Sequence, residues 1–179
     1  HGLSGGTRGH LASFKILVED FKTGVLLATR NFSQGPPPIL LGYGLGGMVL
    51  VQMLKEDQLF AQEIDRVVLA NALFRPRGRS LTKWGSNSPL KHLRQFGKVK
   101  IPIRLQGEDI LSNPETVASY NSDPLINHTL SFNLINEIIR ESPLTHCASY
   151  FMELPSLFLV SEKDELCDAD GSYWFAKTL

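Results

Sequence analysis

The sequence predicts an α/β protein: a parallel sheet flanked by helices, with a cap or lid inserted between two of its strands. Three observations lead there. Residues 38–51 read as a buried strand, a glycine-rich turn and a helix. Residues 64–71 form a second apolar run, so strand, helix and strand succeed one another as in a parallel sheet. The third run, residues 156–161, arrives only after a long stretch of other texture, punctuated by Pro76, Pro89, Pro102, Pro114 and Pro124. An insertion of that length between sheet strands is expected to lie over a site as a lid. The expected division is a core of residues 1–72 and 143–179 with a cap of residues 73–142.

Taken in order, residues 1–10 (His-Gly-Leu-Ser-Gly-Gly-Thr-Arg-Gly-His) are glycine-dense and aperiodic, hence a loop. Phe14, Leu17, Val18, Phe21, Val25, Ala28 and Phe32 then recur at helical spacing, and Ser13 suits an N-cap. That places a helix over residues 13–30, followed by a Gly/Pro/Ser linker to residue 38. After the glycine turn, Met48, Val49, Val51, Met53 and Leu54 supply a helix that ends at the polar Lys55-Glu56-Asp57. Within the insertion, Phe132, Leu134, Ile135, Ile138 and Ile139 predict an amphipathic helix near residues 130–140. An acidic loop follows the third strand, and a short helix over residues 172–177 closes the chain. Three strands are few for a parallel sheet, so strands preceding residue 38 in the fold are expected outside this sequence.

Composition bounds the function classes. The chain has 179 residues, 42% hydrophobic and 20% charged, with a formal net charge of zero. This is ordinary for one globular domain and singles out no polyanionic partner. Two cysteines, Cys147 and Cys167, are too few for a disulfide framework and favour a reduced, cytoplasmic setting. No apolar run reaches membrane-spanning length and no signal peptide opens the chain, which starts at His1. No two histidines show metal-ligand spacing, and Asp168-Ala169-Asp170-Gly171 lacks the later bidentate Glu of a calcium loop. No metal or cofactor is expected.

The glycine turn carries the chemistry. Gly42, Gly44, Gly46 and Gly47 between strand and helix fit a nucleophile elbow, whose apex holds the attacking side chain. Gly44 stands at that apex, so the frame for a nucleophile is present without one. No Lys-Ser/Thr follows to make a phosphate loop, and the last glycine spacing is wrong for a dinucleotide fingerprint.

Beside this reading stands a resemblance. Residues 1–10 with Ser13-Phe14, the elbow Gly42-Tyr43-Gly44-Leu45-Gly46-Gly47, the cap motif Asp123-Pro124-Leu125, and residues 155–164 followed by Asp168 and Gly171-Ser172 occur in one order. They resemble monoacylglycerol lipases and related lysophospholipases of the α/β-hydrolase superfamily. The family reads G-H-S-M-G-G at the elbow. The resemblance implies that Gly44 occupies the nucleophile position, that the Leu45 backbone N–H contributes to the oxyanion hole, and that Asp164 is the triad acid. It also implies a general-base His beyond Leu179 and a second oxyanion donor before His1. Of the five histidines, His1 and His10 flank the opening loop and suit structural hydrogen bonds. His92, His128 and His146 all precede Asp164.

The function implied is a carboxylic ester hydrolase acting by acyl transfer on a small-molecule acyl ester or lipid. As written, the chain is expected to be inactive, and restoring Ser at position 44 alone is expected not to revive it. The alternative is a non-catalytic lipid- or acyl-ligand-binding protein on the same fold. A basic run (Arg75, Arg77, Arg79, Lys83, Lys91, Arg94, Lys98, Lys100 and Arg104) has no acid between Asp65 and Glu108. It reads as a solvated face or as peripheral contact with anionic lipid. With only Trp84 and Phe96 interleaved, nucleic acid is not expected. Asn127-His128-Thr129 forms a glycosylation sequon, without weight in the absence of a secretory signal.

Overall fold

A computed structural model describes residues 2–30, 35–77, 97–102 and 106–179. In chain order the elements are α1 (Phe14–Arg30), β1 (Ile39–Tyr43), α2 (Leu45–Glu56), α3 (Gln58–Ala61) and β2 (Arg66–Ala70). There follow β3 (Lys100–Pro102), α4 (Gly107–Ile110), α5 (Pro114–Ser122), β4 (Thr129–Ser131), α6 (Phe132–His146), β5 (Ser156–Leu159) and α7 (Ala169–Lys177). The chain forms two compact units: His1–Ser13 with Gly78–Ile139, and Phe14–Arg77 with Arg140–Leu179.

The second unit holds the parallel sheet, in the order β1-β2-β5. Tyr43 stands opposite Ala70, and Ala70 opposite Leu159, so all three strands end level with one another. Helix α2 packs on β1 and α1 packs on α2. Residues 47–54 of α2 are all buried, Met48 and Leu50 completely. The one polar side chain among them, Gln52, donates to Thr145 Oγ1 at 2.8 Å and to Glu141 Oε2 at 3.3 Å, which offsets its desolvation.

The first β-strand differs from the fully buried strand that its apolar run predicts. Leu40 is buried, but Ile39, Leu41 and Tyr43 on the other face are 57%, 61% and 67% exposed. The helix that follows covers one face of the sheet, and side chains alternate between faces. The second strand is also shorter than the run 64–71. Asn71 turns to φ 42° and so leaves the extended conformation.

Two helix boundaries move as well. The expected helix 130–140 begins at Phe132, because Leu130 belongs to β4 and the Ser131 hydroxyl accepts from the Leu134 N–H at 3.1 Å. It continues through Pro143 to His146. The closing helix starts at Ala169 rather than Ser172, because the Asp168 carboxylate caps the Asp170 N–H.

In the first unit, β3 and β4 pair antiparallel, an element that the insertion's weak apolar runs did not announce. The opening loop is bound within this unit. Gly9 has φ 65°, and a Cβ there would lie 2.2 Å from Asn127 Nδ2, so the close approach needs glycine. His10 Nδ1 lies 3.0 Å from Ser131 Oγ, a structural hydrogen bond as expected of it. Ser131 is fully buried and already caps α6, so this Ser–His pair offers no exposed nucleophile. Among the described residues, no helix is long and apolar enough to cross a membrane.

Candidate functional site at the C-terminal edge of the sheet

Gly44 joins β1 to α2 with φ 54° and ψ −122°. This is a backbone region that L side chains rarely adopt, and it is where a strained elbow stores its energy. Backbone bonds hold the turn. Gly44 N–H donates to Ala70 O at 3.1 Å, and Gly44 O accepts from Gly47 N at 3.1 Å and Leu73 N at 2.9 Å.

The four glycines divide by what a Cβ would meet. At Gly42 it would lie 2.6 Å from Gly47 Cα, and at Gly47 it would lie 2.5 Å from Ala72 Cβ. At Gly44 and Gly46 nothing lies within 4 Å. Gly42 and Gly47 are therefore needed for close packing of helix on strand. Gly44 is not: its missing side chain would project into open space. Leu45 opens α2, so its N–H has no carbonyl one turn back within the helix and is available to an outside acceptor.

Asp164 lies in the loop after β5, two strands from the elbow. At the usual strand spacing this is a separation of roughly 10 Å between strand ends. Its Oδ1 accepts from Leu166 N at 2.7 Å and Cys167 N at 2.8 Å. Among the described residues no hydrogen bond reaches its Oδ2. One oxygen is thus spent on fixing the carboxylate against its own loop. Burial, reinforced by the nearby Asp164 charge, pushes the Cys167 thiol up to about 12. Cys147 is exposed, and both cysteines are free.

Two arginines that the sequence places in the basic run belong instead to this loop. Arg75 Nε lies 3.2 Å from Asp168 Oδ2, and Arg77 NH2 lies 3.5 Å from Asp168 Oδ1. Arg77 NH1 also donates to Asp164 O at 3.1 Å. Asp168 is thereby a helix cap and an ion-pair partner. Among the described residues, no group of three or more His, Cys, Asp or Glu side chains could hold a metal ion. Sequence reading missed these partners, yet a signal existed. Parallel neighbours release their following segments at the same edge, so cations just after one strand and acids just after the next should meet. Of the remaining basic run, Lys98 and Lys100 are exposed, while Arg79, Lys83, Lys91, Arg94 and Arg104 lie outside the described residues, as do Trp84, Phe96, His1 and His92.

His146 is set at the end of α6 against Trp174 of α7, with ring centroids 3.9 Å apart. Its Nε2 is buried without a hydrogen-bond partner. Burial, aided by the Arg75 charge, lowers its pKa against a backbone hydrogen bond to Gly171. The structure gives it no contact with Asp164.

The profile of the family described as serine aminopeptidase, S33, matches residues 1–179. Among curated proteins, a monoacylglycerol lipase of Mycolicibacterium smegmatis is 28% identical over 178 residues, covering 96% of this chain and 60% of that protein. A monoglyceride lipase of Rattus norvegicus is 29% identical over 182 residues, covering 97% of this chain and 56% of that protein. The chain thus spans about three-fifths of the length of these relatives. The solved monoacylglycerol lipase of Paleococcus ferrophilus superposes with a TM-score of 0.76 at 22% identity, over 100% of this chain and 65% of that one. A soluble variant of the Saccharomyces cerevisiae monoglyceride lipase, in complex with a substrate analogue, gives a TM-score of 0.71 at 16% identity, over 92% of this chain and 55% of that one. At these identities the two solved structures speak to the fold.

Proposed function

The chain belongs to the serine aminopeptidase, S33, family and is an α/β-hydrolase of monoacylglycerol lipase-like type, and from that premise we propose that it carries the frame of a lipid ester hydrolase whose nucleophile is absent. In this reading position 44 is the attacking position, Leu45 N–H is one oxyanion donor, and Asp164 orients the general base through Oδ2. The single observation that carries it is the apex itself. Gly44 has the strained elbow conformation, open space where a side chain would stand, and a place at the same sheet edge as Asp164.

The parent chemistry is acyl transfer. A serine oxygen attacks the ester carbonyl, the base takes its proton, and N–H donors stabilise the oxyanion. One such donor is worth about 3–4 kcal/mol to a tetrahedral transition state. With glycine at position 44 there is no oxygen to attack and no acyl-enzyme to form. The same frame would hold an acyl glycerol without turning it over, and Gly44 is the observation that favours this binding reading.

The test sets purified protein against a monoacylglycerol and a p-nitrophenyl acyl ester, with D164A beside it. The expected result is saturable binding of the monoacylglycerol without release of acid or phenol above the buffer rate. Turnover that D164A abolishes would overturn the loss of catalysis, and absence of binding at millimolar lipid would overturn the ligand-holding role.

A further inference from the structure

We propose that residues 71–77, the segment leaving β2, form the spacer that sets the acid loop relative to the elbow apex, with Arg77 as its positioning residue. The inference deepens the reading of Gly44 and Asp164 given above and rests on it.

One side of the segment holds the elbow. Ala70 O, just before it, accepts from Gly44 N–H, and Leu73 N–H donates to Gly44 O at 2.9 Å. Ala72 lies so close to Gly47 that only a glycine fits there. The other side holds the acid loop over its length. Asn71 Oδ1 accepts from Ser161 N at 2.7 Å, where the loop leaves β5. Arg77 N donates to Leu166 O at 2.7 Å, and Arg75 O accepts from Asp168 N at 2.8 Å, where the loop returns.

The Arg77 guanidinium spans the middle, reaching Glu162 O at 3.5 Å, Asp164 O at 3.1 Å and the Asp168 carboxylate at 3.5 Å. A planar fork with several donors can serve three acceptors together; a lysine ammonium serves as one compact point charge. Phe74 anchors the segment to α7, stacked on Phe175 with ring centroids 4.3 Å apart. Asn71 adopts φ 42° without being glycine, a local strain retained where the chain must turn from strand to spacer. Gly44 and Asp164 share no direct bond, so seven consecutive residues carry the relation between them.

Amide hydrogen exchange read by NMR on the full chain, unaltered and as R77A and R77K, tests this. In R77A the Leu166 and Cys167 amides, which donate to Asp164, should exchange at least tenfold faster, and the Asp164 carboxyl carbon resonance should shift. The amides of Val67 and Leu69 in β2 should keep their rates. R77K should fall between R77A and the unaltered chain, and it supplies the comparison if R77A does not fold. Unchanged rates at Leu166 and Cys167 would overturn the proposal, as would equal acceleration throughout β2, which marks general destabilisation. No turnover enters this readout, so its failure is distinct from failure of the hydrolase reading.

Discussion

At Gly44 the chain is fixed by backbone alone: three hydrogen bonds to main-chain atoms, and glycines at positions 42 and 47 that let helix and strand approach. At Asp164 side chains add to backbone bonds from Arg75 and Arg77: Asn71 at the loop's start, the Arg77 guanidinium in its middle, and the Asp164 carboxylate folded onto its own loop. Both regions sit at the same edge of one sheet. The elbow's precision follows from sterics that tolerate no Cβ at two positions. The loop's precision follows from polar contacts made by residues some 90 positions earlier. A change of side chain at position 44 would leave the first kind of support intact, because no side chain takes part in it.

The largest blow to this comparison should come from the residue that anchors the acid side. Phe74 is buried and stacked on Phe175. Phe74→Ala removes most of an aromatic side chain from a packed core, at about 4 kcal/mol. Thermal melting should fall by about 8–16 °C for a chain of this size. A fall under 2 °C would show that the acid side stands without this anchor.

Next come two substitutions two residues apart in the elbow. In G42V the new side chain would start 2.6 Å from the Gly47 backbone, with nothing soft to give way. Overpacking of this kind costs about 3 kcal/mol, or about 6–12 °C in melting temperature. In G44S the side chain meets open space, and the cost is only that of φ 54°, about 2 kcal/mol. G42V should therefore melt below G44S. The reverse order would remove the distinction between a packing glycine and an apex glycine.

The elbow was legible because glycine spacing is local and its cause is local. Gly42, Gly44 and Gly47 lie within six residues of one another, and the strand-turn-helix pattern around them fixes their role. The three parallel strands were legible for the same reason, each as one apolar run. The supports of Asp164 were not. Arg77 reads as one member of a basic run, and only sheet order brings it to Asp168. The bare face of β1 was also hidden, because an apolar run looks the same whether one face or both are covered. The β3–β4 pair escaped because three-residue strands show no period.

A pH titration separates the two regions with the smallest expected effect. Residues 42–47 contain no histidine, cysteine or carboxylate, whereas the acid side includes His146, packed on Trp174. Burial holds the His146 pKa below its ordinary 6.5, so folding favours the neutral ring. Such a group contributes stability above the unfolded-state value, and that contribution is lost as pH falls past 6.5 toward the lowered folded-state value. The chain carries four other histidines, so the comparison is with H146Q, which keeps a polar side chain and removes the His146 titration. Melting temperature followed from pH 8 to pH 5.5 should fall more steeply in the unaltered chain than in H146Q. The difference should stay small, because the His146 residue is only part-buried and solvent screens its charge. Addition of R77A should leave that difference in slope unchanged, since His146 faces Arg75 and α7 rather than the Arg77 fork. Parallel slopes for H146Q and the unaltered chain would place the acid side's pH response elsewhere and leave the packing of α7 on α6 as its remaining tie.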